Sequence, residues 1–224
     1  YSVEDAADRL GVGRKNVLKT KANGSLKTDP AEIEKILANP PHGKKVFVVV
    51  GIAGNTRTTG IDDLRAIGEI CKRYGVWYHI DACHGGNLLF SEELKREFLD
   101  GIELGNSITI DPHKGLFTTY PSSYVLFKDR GKLTNYSRHV DMIKRDDVWD
   151  WGLVTPFLCS RGFESLKTWF TIKKLGISNI GKIVEHRNKI MKYVESQITS
   201  NSNFITLNDV DFYRLTFVFC PLEL

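Results

Sequence analysis

Lys114 is the residue that most needs a chemical reason. It stands in Asp111-Pro112-His113-Lys114-Gly115, directly behind the strand-like run Asn106 to Ile110. Most lysines keep their ammonium in water. One fixed at the end of a buried strand can be desolvated, which depresses its pKa and frees the amine as a Schiff-base nucleophile. Asp81 ends an earlier strand-like run, Val76 to Asp81, and lies 33 residues upstream of Lys114, one strand-helix-strand unit away. An amine that can hold an aldehyde, near a carboxylate that can keep a ring nitrogen protonated, is the pairing that pyridoxal phosphate needs as an electron sink.

Other reactive residue types gather at the same kind of place. The run Val46 to Ile52 leads into Ala53-Gly54-Asn55-Thr56-Arg57-Thr58-Thr59-Gly60, a small and hydroxyl-rich turn. Val76 to Asp81 leads into Ala82-Cys83-His84-Gly85-Gly86. Ligands of open α/β sheets bind beyond the carboxyl ends of the strands, so three such ends in succession define a candidate site. Alternation along its strand makes His79 a half-buried sheet residue, and His84 is placed to cap the Gly85-Gly86 turn. A rival reading takes His79, Asp81, His84, Asp111 and His113 as zinc or manganese ligands of a hydrolase. That reading leaves Lys114 without a task, and the spacing is no dedicated ligand pattern. A non-catalytic partner built on the same fold is the alternative outside enzymes.

The elements that must position these residues can be read from punctuation and periodicity. Ser2 caps a short helix that Gly11 ends, and Asp29-Pro30-Ala31-Glu32 opens another, with a cap, a proline at the first position and an early acid. Val46 to Ile52 is a strand apolar enough to be buried on both faces. Asp62 to Tyr74 is an amphipathic helix closed by Gly75, and Ser91 to Phe98 is a second. Asn106 to Ile110 and Ser122 to Lys128 are strands. Alternating strand and helix predicts an α/β fold with a mostly parallel sheet. Asn135 to Trp151 is charged and aperiodic, which predicts a long loop. Arg161 to Leu175 and Ile180 to Ile198 read as helices joined at Gly176. Phe204 to Leu207 and Arg214 to Phe219 read as strands of a smaller α+β unit. The expected division is residues 1–159 as part of a large domain and 160–224 as a linking helix with the start of a small one.

Composition narrows the class further. With 224 residues, 42% hydrophobic and 26% charged, the chain is globular rather than disordered or disulfide-framed. Its net charge of +4 comes from scattered basic residues, so no nucleic-acid partner is implied. The longest apolar run, Val46 to Val50, is far short of the ~20 residues that a membrane helix needs. Cys71, Cys83, Cys159 and Cys220 show no paired spacing, which points to a reducing cytoplasm.

His79 to Gly86 (HIDACHGG) and Ser107 to Gly115 (SITIDPHKG) resemble the two motifs of the group II pyridoxal-phosphate-dependent amino-acid decarboxylases. Val48 to Gly60, Ser160 to Phe170 and the FVFCP run near the end resemble that family in the same order. The resemblance implies the large domain of the type I, aspartate-aminotransferase-like fold and a homodimer. It implies α-decarboxylation of an L-amino acid on pyridoxal phosphate. By the same resemblance Lys114 carries the cofactor, Asp81 pairs with the pyridine nitrogen, and His113 contacts the phosphate or the reacting centre. Thr56 matches a threonine beside the ring, and Cys83 replaces the alanine usually found beneath it.

Some positions depart from the family pattern. Asp111 stands where many members have Asn, and it would need a donor or would repel a phosphate. A stacking histidine and a phosphate-binding Ser/Thr stretch belong upstream of Tyr1 in the family. The expectation is therefore that residues 1–224 alone do not complete a site, and that an N-terminal segment or a companion chain is needed. Tyr136 is at the wrong end of its loop to protonate product, leaving His139 as a candidate acid. A carbon–carbon lyase or an aldehyde-forming variant stays open on that ground.

Overall fold

β1 (Val48–Ile52), β2 (Trp77–Asp81), β3 (Ser107–Ile110) and β4 (Tyr124–Phe127) lie side by side in that order in a computed structural model, which describes residues 1–129, 131–134 and 162–221. β1–β2 and β2–β3 are parallel, whereas β3–β4 is antiparallel. The register sets Ile52 opposite Asp81 and Asp81 opposite Thr109, so the carboxyl ends of three strands are level. The backbone ladder runs one step further. Ala53 N–H donates to the Asp81 carbonyl at 2.8 Å, and Ala82 N–H to that of Thr109 at 3.0 Å.

Alternation on β2 decides which side chains reach the site. Tyr78 and Ile80 are buried in the core, while Trp77, His79 and Asp81 share the other, half-buried face. Against the core side packs α3 (Leu64–Tyr74), whose Leu64, Ile67, Ile70 and Cys71 form the expected stripe. Burying such a side chain stabilises the fold by roughly 1.5–3 kcal/mol each. Asp63 caps this helix by accepting from Ala66 N–H at 2.9 Å, and Gly75 ends it in the left-handed region at φ 62°. α2 (Pro30–Ala38) has its cap at Asp29, as its sequence predicts, and α4 (Glu92–Phe98) has its cap at Ser91.

Several elements differ from expectation. In α1 (Ser2–Arg9) Ser2 is already helical, and the capping position, Tyr1, makes no side-chain bond. β1 is half-exposed apart from Gly51, because it is an edge strand and only one of its faces meets α3. Residues Pro112–Gly115 form a helical turn, α5, that the sequence did not announce. A further turn, α6 (Gly131–Thr134), follows β4. The long loop 135–151, with Tyr136 and His139, and the boundary near residue 160 lie outside the described residues.

Toward the end come α7 (Glu164–Leu175) and α8 (Ile177–Thr199), then the antiparallel pair β5 (Phe204–Thr206) and β6 (Phe217–Phe219). α8 starts three residues earlier than its periodicity predicts, because Gly176 at φ 79° turns the chain and its carbonyl accepts from Ile180 N–H. Ile180, Val184 and Phe212 belong to the same apolar cluster as Ile67, Ile80 and Leu88. Among the described residues no helix is long and apolar enough to cross a membrane.

Candidate active site

β3 delivers the site lysine through α5. Pro112 occupies the first helical position, where its missing N–H costs nothing, and Lys114 N–H closes the turn on the Asp111 carbonyl at 2.9 Å. Three residues apart on one helical turn, Asp111 and Lys114 share a face. Lys114 Nζ lies 2.9 Å from Asp111 Oδ2. Burial pulls the ammonium down, but the hydrogen bond and charge of Asp111, with help from the Asp81 carboxylate, leave its pKa above the ordinary lysine value. That corrects the expectation of a depressed lysine. The donor that Asp111 needs is Lys114 itself. Against the opposing pull of burial, Lys114 and Ser123 hold the Asp111 carboxyl below the usual carboxylate range.

Asp81 reaches the same region from β2. Its Oδ1 accepts from Cys83 N–H at 3.1 Å and, over a long 3.4 Å, from the Thr109 hydroxyl. Thr109 Oγ1 is also 3.5 Å from His79 Nε2, while His79 Nδ1 is 2.8 Å from Ser107 Oγ, which accepts from Trp77 Nε1 at 2.9 Å. A polar file thus runs along one sheet face from Trp77 to Asp81. His79 is the half-buried sheet residue its alternation predicts, and burial keeps its ring below the ordinary imidazole value. Cys83 sits between the carboxylates. Burial, then Asp81, pushes its thiol up to about 12, so it stays protonated.

The other candidates hold different partners. His113 Nδ1 lies 2.5 Å from the Ser122 carbonyl oxygen and 3.1 Å from its nitrogen, and the tautomer decides which bond forms. Its ring meets Tyr120 edge-on at 4.8 Å, and its Nε2 is 3.8 Å from Asp111 Oδ2. His84 does not cap the glycine turn with its side chain. Its Nδ1 instead lies 2.9 Å from the Tyr213 hydroxyl. Burial, with Lys114 and Arg214 nearby, lowers the His84 pKa to about 4. Arg187 stands over the Tyr213 ring at 4.8 Å. Thr56 is exposed: its carbonyl accepts from Arg214, and its hydroxyl makes no hydrogen bond among the described residues. Asn55 builds that turn instead, accepting from Thr58 N–H at 2.8 Å and donating to Thr58 Oγ1 at 2.7 Å. The five proposed metal ligands diverge, and among the described residues no three such groups could hold a metal ion.

Sequence reading missed Ser107, Thr109 and Tyr213. The first two become visible only through strand register, and nothing local in the sequence signals the third.

What decides the family is a match over nearly the whole chain. Residues 1–219 fit the pyridoxal-dependent decarboxylase conserved domain. The chain belongs to that family. L-2,4-diaminobutyrate decarboxylase of Acinetobacter baumannii is 33% identical over 99% of the chain and 44% of its own length. Mouse acidic amino acid decarboxylase GADL1 is 31% identical over 100% of the chain and 42% of its own length. The crystal structure of mouse CSAD in apo form superposes with a TM-score of 0.91 at 29% identity, over 100% of this chain and 47% of that one. The chain thus spans somewhat under half the length of the decarboxylases it matches, and its fold is the α/β type I fold of pyridoxal-phosphate enzymes. The residues present fit the family's cofactor: a half-buried amine, a carboxylate at the adjacent strand end and a protonated thiol between two acids, all at the level carboxyl edge of one sheet.

Proposed function

We propose that the protein of which this chain is part removes the α-carboxylate of an L-amino acid, using pyridoxal phosphate held at Lys114. One observation supports this above others: parallel pairing of β2 with β3 puts Asp81 level with Thr109, just ahead of the turn that carries Lys114. When bound, the cofactor supplies an electron sink for the carbanion left by carbon dioxide.

The chain's own residues have distinct tasks in this reading. Lys114 Nζ is the covalent anchor. Asp81 faces the ring nitrogen and holds a proton there, its Oδ1 steadied by Cys83 N–H and Thr109. Cys83, kept neutral, gives the ring a close contact that adds no charge. His113 is clamped against Ser122 with Nε2 directed to the Asp111 side, where it can contact the phosphate or the reacting centre. Thr56, exposed and with its carbonyl taken by Arg214, offers its hydroxyl to the side of the ring. In the same reading residues 1–159 supply the cofactor-holding part and 160–224 the linking helices and the start of a small domain. In this reading the enzyme is a homodimer, as the family resemblance implies, and cytoplasmic, with Cys71, Cys83 and Cys220 as thiols.

The test is spectroscopic. Full-length protein should show the visible band of a lysine-bound cofactor and, after borohydride reduction, carry the label on Lys114. Lys114→Ala should lose both the band and amino-acid-dependent carbon dioxide release. A reducible covalent adduct that survives in that variant would assign the anchor to another lysine and overturn the reading.

A further inference from the structure

Asp111 and Lys114 form the closest ion pair at the sheet's carboxyl edge, and neither is freely solvated. The Asp111 side chain is 11% exposed and that of Lys114 31%. A carboxylate so enclosed needs a permanent positive partner, since an unpaired buried charge is far costlier than a paired one. The groups facing the pair can be named. From the end of β2 come Asp81 and Cys83; from the following turn comes His84; from the strand-entry segment comes Ser123; from the C-terminal segment comes Tyr213. His113, on the same turn, presents Nε2 to the same Asp111 oxygen at 3.8 Å. One of these neighbours, the Asp81 carboxylate, acts on Lys114 in the same direction as Asp111.

We propose that Asp111 is the positioning residue that holds Lys114 as an ammonium in the cofactor-free enzyme, so that cofactor capture waits on release of Nζ from Asp111. The proposal rests on Lys114 being the cofactor lysine. Capture has a simple balance. The ammonium gives one proton to solvent, the neutral amine adds to the cofactor's aldehyde carbon, and the aldehyde oxygen leaves as water. No oxidant or reductant is involved. A lysine kept protonated by its neighbour reacts only through its small neutral fraction, and that fraction falls about tenfold for each unit by which the pKa rises. Once Nζ is bonded, Asp111 loses its ammonium partner, and the ring of His113, with Nε2 3.8 Å away, is the nearest remaining nitrogen on that turn. The pair therefore sets when the site loads, without touching substrate.

The experiment measures loading and not turnover. Full-length enzyme stripped of cofactor is mixed with pyridoxal phosphate between pH 6 and 9. Samples are quenched with borohydride, and the label on the Lys114 peptide is followed by mass spectrometry. Asp111→Asn should move the capture profile about one unit toward lower pH, giving about tenfold faster labelling at pH 7. Asp111→Glu should return it toward the wild-type profile. Superimposable profiles for wild type and Asp111→Asn, with the label on Lys114 in both, would overturn this inference and leave the cofactor assignment intact. A label that persists in Lys114→Ala would remove both. If Asp111→Asn does not fold, acylation of the wild-type apoenzyme decides the matter. The pH midpoint for Lys114 should lie above that of exposed Lys72, and a midpoint at or below it would refute the proposal.

Discussion

His84 illustrates how a single side chain can tie the site to the stability of the fold. The sequence marks it as a turn residue, but its ring is buried against Tyr213 and faces the charges of Lys114 and Arg214. The unfolded chain takes up this proton near pH 6.5, whereas the folded chain refuses it until about pH 4. The depressed value means that the stability is fully present above the unfolded pKa and drains as pH falls through that window. Each pH unit lost there costs about 1.4 kcal/mol, about 3 kcal/mol in all. Denaturation midpoints between pH 7 and 4 should therefore fall more steeply for wild type than for His84→Asn, and parallel profiles would remove His84 from this role. That Lys114, Asp81, Cys83 and Asp111 gather at one edge of the sheet was legible because strand-end motifs are contiguous in the chain. The partners that orient them were not. Thr109 and Ser107 meet Asp81 and His79 only across strands, and a register cannot be read from one strand. The expected depression of Lys114 failed for a related reason, since its sign depends on whether Asp111 turns inward or outward.

At the scale of elements, close approach governs the layout. Gly85 N–H donates to the Ala53 carbonyl at 2.9 Å, and a Cβ on Gly85 would come within 2.4 Å of that same oxygen. Only glycine lets the 3-10 turn Gly85–Phe90 begin against the exit of β1. Gly85→Ala should destabilise the protein by roughly 2 kcal/mol, the range of an overpacked core site. It should also weaken cofactor binding, because the displaced turn carries His84. Chemical denaturation and a pyridoxal-phosphate titration on the same preparation would check both, and a neutral outcome in each would show that the turn can shift without loss. Helices with a cap, a stripe and a closing glycine or asparagine, such as α3 and α2, were readable from the residues alone. The turn α5 was not, because four residues cannot display a helical period. Nor was the antiparallel sense of β4, since strand direction is fixed by how the connection 111–123 folds back.

Among the described residues, large apolar side chains stand exposed on two elements near the end of the chain. Trp169 and Phe170 on α7 are 52% and 56% exposed, and Val218 and Phe219 on β6 are 47% and 60% exposed. Residues 1–224 expressed alone should therefore self-associate, eluting early in size-exclusion chromatography. A monodisperse monomer that binds cofactor stoichiometrically would contradict this. The sheet order has a last consequence, and it concerns time. β3 and β4 are neighbours in the chain and can zip together early, with Lys114 held in the connection between them. Asp81 joins only when β2 docks in parallel across a long intervening stretch, a slower event because more chain must be closed. The loop lengths thus predict that the segments carrying Lys114 and Asp81 settle in separate steps of folding. In the proposed reading the covalent band needs only Lys114 whereas carbon dioxide release needs Asp81 as well, so during refolding the band should return before the activity, and the lag between them would time assembly of the sheet.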